Sequence, residues 1–455
     1  MGQPAHRLEG MLGKALKIVL SALVLGVVAV SVYLLIAPPA LLKVGTNYSA
    51  KIVCSNVFLA GRDAGEVLAV DVQAPGHPLL KYVSVDVDEE AQTVKAWVFG
   101  FVAPALSQYR EGLGCTNVHA ADLSDTTLAA PASEPEGNWP QGNTVDSSQE
   151  PDIAEILSDE TLLGEGYRAV VVVRNGRIIG ETYADGFDAE TPLLGWSMSK
   201  TVVAGLIGTL IEAGRMELAD PMTDSFAEWN QDDRRNVDVE SMLAMASGLE
   251  WNEDYGDVSD VTRMLYLSDD MAGFASDRPA AAEVDTVFNY SSGTSTMLSR
   301  FVQDQVGEDS LNYPRNALFD PLGMTSAILE TDASDTFVGS SYLYATARDW
   351  ARYGQFLLQE GVWNDQQILP EGFTNWMFEP TAASDNRYSK GHLWREAPGD
   401  LPPFEDAVWM LGHDGQSVGI FPSHDMVIVR LGLTPSRIGY SSLPLAQALI
   451  SALED

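Results

Sequence analysis

The stretch GWSMSKTVVAGLIGTLIEAG, residues 195–214, puts a lysine at the head of an apolar run, in a chain of 455 residues that contains only eight lysines. Val202, Val203, Leu206, Ile207, Leu210 and Ile211 recur at three- and four-residue spacing, the period of a helix with a buried face, so the segment reads as a helix starting near Ser197 and ending at Gly214. Ser197 and Lys200 then share its first turn, with about 5–6 Å between Cβ atoms. A serine hydroxyl attacks poorly until a base takes its proton, and a lysine becomes such a base when burial lowers its pKa. Arginine keeps its proton at any working pH, which is a physical reason for a primary amine here. This is the only Ser-x-x-Lys in the chain.

Outward from this helix, AVVVVRNGRIIGETYADG (169–186) is a hairpin pattern: a β-branched run, an Asn175-Gly176 turn, then a second run. Near the other end, VGIFPSHDM and MVIVRLGLT (418–434) return to strand character and LPLAQALISALED (443–455) reads as a closing helix. Residues from 215 to about 375 carry mostly helical and loop patterns. The expected fold is therefore α/β, in the α+β sense: an antiparallel sheet made from both ends of one domain, flanked by helices, with a mostly helical inserted half.

The 64 acidic against 27 basic side chains give a formal charge of -37, which argues against nucleic acid or an anionic membrane surface as partner. IVLSALVLGVVAVSVYLLIAPPALL (18–42) has no charge and is long enough for a bilayer core of roughly 30 Å. Arg7, Lys14 and Lys17 precede it, so residues 1–17 read as a cytoplasmic tail and 18–42 as a transmembrane anchor, with everything beyond exported. A cleaved signal peptide is the alternative. Residues 43–128 form an N-terminal accessory region in which KYVSVDVDEEAQTVKAWVFG (81–100) reads as two strands about an acidic turn. Residues 129–152 are an acidic linker rich in Pro and Ser, and the main domain spans 153–455. Cys54 and Cys115 are the only cysteines; in an exported region they either pair or remain two buried thiols.

Two further stretches carry chemistry. VFNYSSGTSTML (287–298) runs from strand to loop to helix and contains Tyr290 and Ser292; LGHDGQSVGIFP (411–422) places His413 and Gly415 on one side of an extended segment, followed by Gln416. GWSMS lacks the second glycine of a Gly-x-Ser-x-Gly elbow, and the six histidines show no zinc-binding spacing. In order, the three motifs Ser197–Lys200, Tyr290–Ser292 and His413–Gly415 resemble those of the serine β-lactamase and penicillin-binding-protein superfamily, in its class C β-lactamase-like branch with 6-aminohexanoate-dimer hydrolases and related esterases. SMLAMASGLEWNEDY (241–255), LFDPLGM (318–324) and SSYLYATARDWARYGQFLLQEG (340–361) also look like that branch, so the resemblance covers about residues 160–455.

The resemblance implies that Ser197 attacks a carbonyl, that Lys200 takes or relays its proton, and that Tyr290 is the second proton-transfer group, its phenol brought into range by the lysine cation. It implies an oxyanion site made by the backbone N–H groups of Ser197 and Gln416, with His413, Gly415 and Ser292 at the substrate, and no metal or organic cofactor. It also implies a Cys54–Cys115 disulfide. His413 and Asp414 stand where β-lactam-cleaving members present Lys-Thr-Gly; that pair receives a substrate carboxylate poorly. The expected substrate is a small-molecule or short oligomeric amide or ester, cleaved through an acyl-enzyme. A D,D-peptidase, a penicillin-binding protein or a β-lactamase is the second reading, and a catalytically silent envelope binding protein the third.

Overall fold

The computed structural model describes residues 4–126, 128, 131–132, 136–145, 151–398 and 404–454. Helix α1 (Pro4–Ile36) is followed after three residues by α2 (Ala40–Phe58). The apolar run 18–42 is thus divided, because Pro38 and Pro39 lack backbone N–H groups and hold the preceding residue extended. Among the described residues the stretch long and apolar enough to cross a membrane is Lys14–Ile36, 23 residues with a mean hydropathy of 2.7, and Ala40–Leu42 belong to the next helix.

Helix α2 is buried along most of its length and packs on a four-stranded antiparallel meander: β1 (Val83–Asp88), β2 (Thr93–Val98), β3 (Val102–Arg110) and β4 (Gly114–Asn117). The two strands expected within 81–100 are β1 and β2. A disulfide joins Cys54 of α2 to Cys115 of β4. On its far side α2 meets the main part of the chain: the Lys51 ammonium pairs with the Glu330 carboxylate, which also accepts from Ser55 Oγ (2.8 Å) and the Cys115 amide (2.6 Å). Residues 43–128 and the main domain consequently share one hydrophobic core.

The expected hairpin is β5 (Tyr167–Arg174) and β6 (Arg177–Tyr183), closed by Asn175 and Gly176 at φ 51° and 70°, the left-handed pair of a type I′ turn. Then come α3 (Ser199–Glu212), α4 (Asp260–Leu267), α5 (Ser292–Val306) and α6 (Ala347–Leu358), the last packed on the sheet. The C-terminal strands are β7 (Val408–Gly412), β8 (Gln416–Phe421) and β9 (Met426–Gly432), and α7 (Leu443–Glu454) closes the chain. The sheet runs β7-β8-β9-β5-β6, antiparallel throughout, so both ends of the domain build it. Its side chains alternate. Val171, Val173, Val427 and Val429 face the main core with α6, whereas Val170, Val172, Met426 and Ile428 face a second core with α7, the period-two pattern of a sheet buried on both sides.

Of the segment read as a linker, residues 129–130, 133–135 and 146–150 lie outside the described residues. The part at 136–145 is tied to α6: the buried Arg352 guanidinium donates to the carbonyls of Pro140 (2.9 Å) and Gly142 (2.7 Å), and Trp139 is buried in the main core.

Candidate active site

Ser197 lies in a single 3₁₀ turn, Trp196–Met198, that runs directly into α3. The turn is held from behind. Gly195 donates its N–H to the Leu343 carbonyl at 2.9 Å, and a β-carbon on Gly195 would stand 2.2 Å from the buried Trp350 ring of α6. Trp196 has a φ of 49°, a left-handed conformation costing a non-glycine residue on the order of 1–3 kcal/mol. Ser197 itself is half-buried between two buried neighbours.

One turn on, Lys200 is fully buried. Its Nζ lies 3.0 Å from Ser197 Oγ, 3.1 Å from Ser292 Oγ and 2.8 Å from the Ser340 carbonyl oxygen, so each of the three N–H bonds of an ammonium has an acceptor. Burial pulls its pKa down to about 8, against the opposing pull of the Glu253 carboxylate. Behind it His392, buried and with its pKa lowered to about 4 by desolvation, sets Nδ1 3.1 Å from the Lys200 carbonyl.

Ser292 opens α5 and joins Lys200 to Glu253: its hydroxyl donates to Glu253 Oε1 at 2.5 Å and its amide to Oε2 at 2.9 Å. Trp251 Nε1 donates to the same carboxylate at 2.5 Å. Tyr290, two residues before α5, is in a loop and not on the expected strand, and its ring packs among Tyr388 and Trp394 at 5.8 and 5.4 Å. The Lys200 Nζ lies 4.9 Å from the centre of that ring, and the Ser197 hydroxyl acts on the phenol to lower its pKa. Burial first and Glu253 second raise the phenol above its ordinary value. The direction of this shift is set by desolvation, where the resemblance implied that the lysine cation would lower the phenol.

The third motif is arranged differently from the extended segment expected. His413–Gly415 is the turn between β7 and β8, with Asp414 and Gly415 at φ 59° and 80°. His413 does reach the site, stacking on Tyr255 at 5.2 Å and meeting Trp196 edge-on at 5.5 Å. Gly415 lies against Arg430. Its carbonyl accepts from Arg430 at 3.0 Å, and a β-carbon there would meet the same guanidinium at 2.9 Å. Gln416 follows directly. It sits on β8, paired with Gly412, and its side-chain amide bridges to the Gly432 backbone of β9. The strand beside the Ser197 turn is β7, at the sheet edge. Trp409 exchanges both backbone hydrogen bonds with Trp394 outside the sheet, so by the alternation of a strand the amide of Leu411 also points outward.

Glu253, Ser340, His392 and Leu411 escaped the sequence reading. Glu253 and Ser340 fall inside stretches quoted above for their family likeness, and the half-buried Glu253 carboxylate was distinguishable there only by the tryptophan two residues before it. Nothing in the sequence marked His392 or Leu411.

The beta-lactamase family profile matches residues 167–436, more than half of the chain, and the protein belongs to that family; by that membership it is a hydrolase of amide or ester bonds. The 6-aminohexanoate-dimer hydrolase of Paenarthrobacter ureafaciens is 24% identical over 292 residues, 59% of this chain and 72% of that protein. Among solved structures, EstCE1, a hydrolase with promiscuous acyltransferase activity, superposes with a TM-score of 0.55 at 16% identity, covering 67% of this chain and 98% of its own. A class C beta lactamase from Rhodobacter sphaeroides does so with a TM-score of 0.51 at 15% identity, covering 67% and 100%. At these identities the structures bear on the fold alone.

Proposed function

We propose that the protein is a serine hydrolase in which Ser197 is the nucleophile, Lys200 its base and Tyr290 its acid, acting on an amide or ester that needs no carboxylate. The observation carrying this reading is the Lys200 amine, buried, with a pKa of about 8 and 3.0 Å from Ser197 Oγ. In acylation the neutral amine takes the Ser197 proton as Oγ bonds to the carbonyl carbon. Tyr290, still protonated, gives its proton to the departing amine or alcohol. In deacylation the phenolate left behind removes a proton from water, and the Lys200 ammonium returns its proton to Ser197 as the acyl–oxygen bond breaks. Both groups end as they began. The backbone N–H groups of Ser197 and Leu411 supply the oxyanion site, each such donor contributing roughly 3–4 kcal/mol in acyl transfer.

His413 at the edge of the site supports a neutral substrate, since its neighbour Asp414 opposes binding of a carboxylate. The apolar helix ending at Ile36 supports membrane attachment with an exported catalytic domain, the basic tail remaining inside. Exposure to a fluorophosphonate probe tests the central assignment. Ser197→Ala is expected to abolish labelling and Lys200→Ala to slow it by about a hundredfold or more; labelling that persists in Ser197→Ala rejects it.

A further inference from the structure

A cavity of about 670 Å³ is lined by Trp196, the residue before Ser197, and by residues of the N-terminal region, a volume within the range of small-molecule sites. Its inner end is formed by Trp196, Tyr255 and His413. Its far end is apolar and comes from outside the family match: Leu41, Leu42 and Val44 of α2, Leu79 and Leu80 of the turn before β1, and Val98 of β2.

That far end lies close to the apolar helix. Leu41 follows Ile36 by five residues, so it is at most about 18 Å from the end of the candidate span. The rim next to it is aromatic. Val83 and Val98, both cavity residues, are cross-strand partners, and beside them Tyr82, Phe99 and Phe101 are exposed by 53, 59 and 51%, with Tyr82 and Phe99 in ring contact at 5.0 Å. Exposed aromatic rings near the end of a spanning helix are the pattern of the membrane interface. Leu34 of α1 packs on the same core, and α1 touches β3, the strand that follows the Phe99–Phe101 turn.

We infer that this cavity binds the apolar chain of an acyl ester or amide whose carbonyl is thereby presented to Ser197. The inference rests on the hydrolase reading of Ser197 and names its substrate class. Glu253, Asp254, Asp257 and Asp414 line the cavity against the single guanidinium of Arg437 and the imidazoles of His77 and His413, and this excess of carboxylates disfavours an anionic head, which suits a neutral ester or amide and favours departure of the fatty acid product. The chain can come from a bilayer or from solution, and the aromatic rim speaks for the bilayer.

The test uses the full chain in nanodiscs of phosphatidylcholine and p-nitrophenyl esters of acetate, butyrate, octanoate and dodecanoate. Each methylene that enters the cavity is worth up to about fourfold in kcat/KM, so the octanoyl ester should exceed the butyryl ester by tenfold or more. Leu42→Trp and Val98→Trp, each filling the far end, should cut the octanoate-to-acetate ratio by about tenfold. A ratio near one, or one unmoved in both variants while the acetyl ester still turns over, overturns the inference and leaves the hydrolase intact. Failure of every ester together with loss of fluorophosphonate labelling overturns the hydrolase reading itself. The source is decided with Phe99→Ser/Phe101→Ser: slowing confined to a nanodisc-embedded octanoyl ester assigns the bilayer, and equal rates on embedded and dissolved ester assign solution.

Discussion

Lys200 is surrounded by three acceptors that suit an ammonium and by a burial that does not. The balance puts its pKa at about 8, so near neutrality a minor fraction carries the free amine that the chemistry requires. Below that value the free-amine fraction falls tenfold per pH unit. kcat/KM for a neutral ester should rise about tenfold per unit on the acid side and level off above about pH 8.5. Glu253 is the counterweight: its charge holds Lys200 up, through the hydrogen-bonded hydroxyl of Ser292. Glu253→Gln removes that charge and should move the whole acid limb to lower pH, because the lysine then sheds its proton sooner. Glu253 touches neither nucleophile nor carbonyl, so a profile that drops in height without moving would make it a purely structural residue.

At the scale of elements, the Ser197 turn depends on how closely α6 can approach it. Gly195 has an ordinary φ of -82°, so glycine is required there by space and not by conformation. A methyl group would fall 2.2 Å from Trp350 Cζ2, in the six-membered ring of a fully buried indole. Gly195→Ala should cost about 1–3 kcal/mol in urea unfolding and reduce kcat further, since relief requires the turn carrying Ser197 to move. Phenylalanine at 350 lacks that ring edge, so Gly195→Ala/Trp350→Phe should lose less stability than the sum of the single changes. Elements also explain what could be read in advance. The Ser197–Lys200 pairing and the Asn175-Gly176 hairpin are local, fixed by helical period and turn chemistry, and both were visible in the residues. The setting of Gln416 was not, because strand pairing depends on the partner met: Gln416 pairs with Gly412 within the sheet, whereas Trp409 meets Trp394 outside it. Glu253 was hidden for a different reason, being one of 64 acids and becoming distinct only when a loop carries it 39 residues back from Ser292. Pro38-Pro39 was legible and overlooked: apolar content extends through it, but helix α1 cannot.

For the whole molecule, the decisive feature is that α2 and its meander are built into the catalytic half. The Lys51 ammonium and the Glu330 carboxylate are both fully buried, and a β-carbon on Gly114, at φ 68°, would strike the Glu330 side chain at 2.4 Å, so the chain approaches there as closely as glycine permits. Desolvation already lowers Lys51, with Glu330 opposing it. Removing the carboxylate in Glu330→Ala leaves a buried ammonium without its partner and strands the donors of Ser55 and Cys115, a loss of about 3–5 kcal/mol. The sign with pH follows from the lysine: its pKa, already depressed in the folded protein, falls further in the variant, so the deficit is largest at low pH and narrows as pH rises and the amine deprotonates. Because both regions share one core, denaturant unfolding followed by tryptophan fluorescence and by circular dichroism should give coincident single transitions in both proteins, the variant at lower denaturant. Two separate transitions, or a Glu330→Ala protein that loses stability only in the meander, would mean that the N-terminal region folds on its own and merely leans against the domain whose cavity it lines.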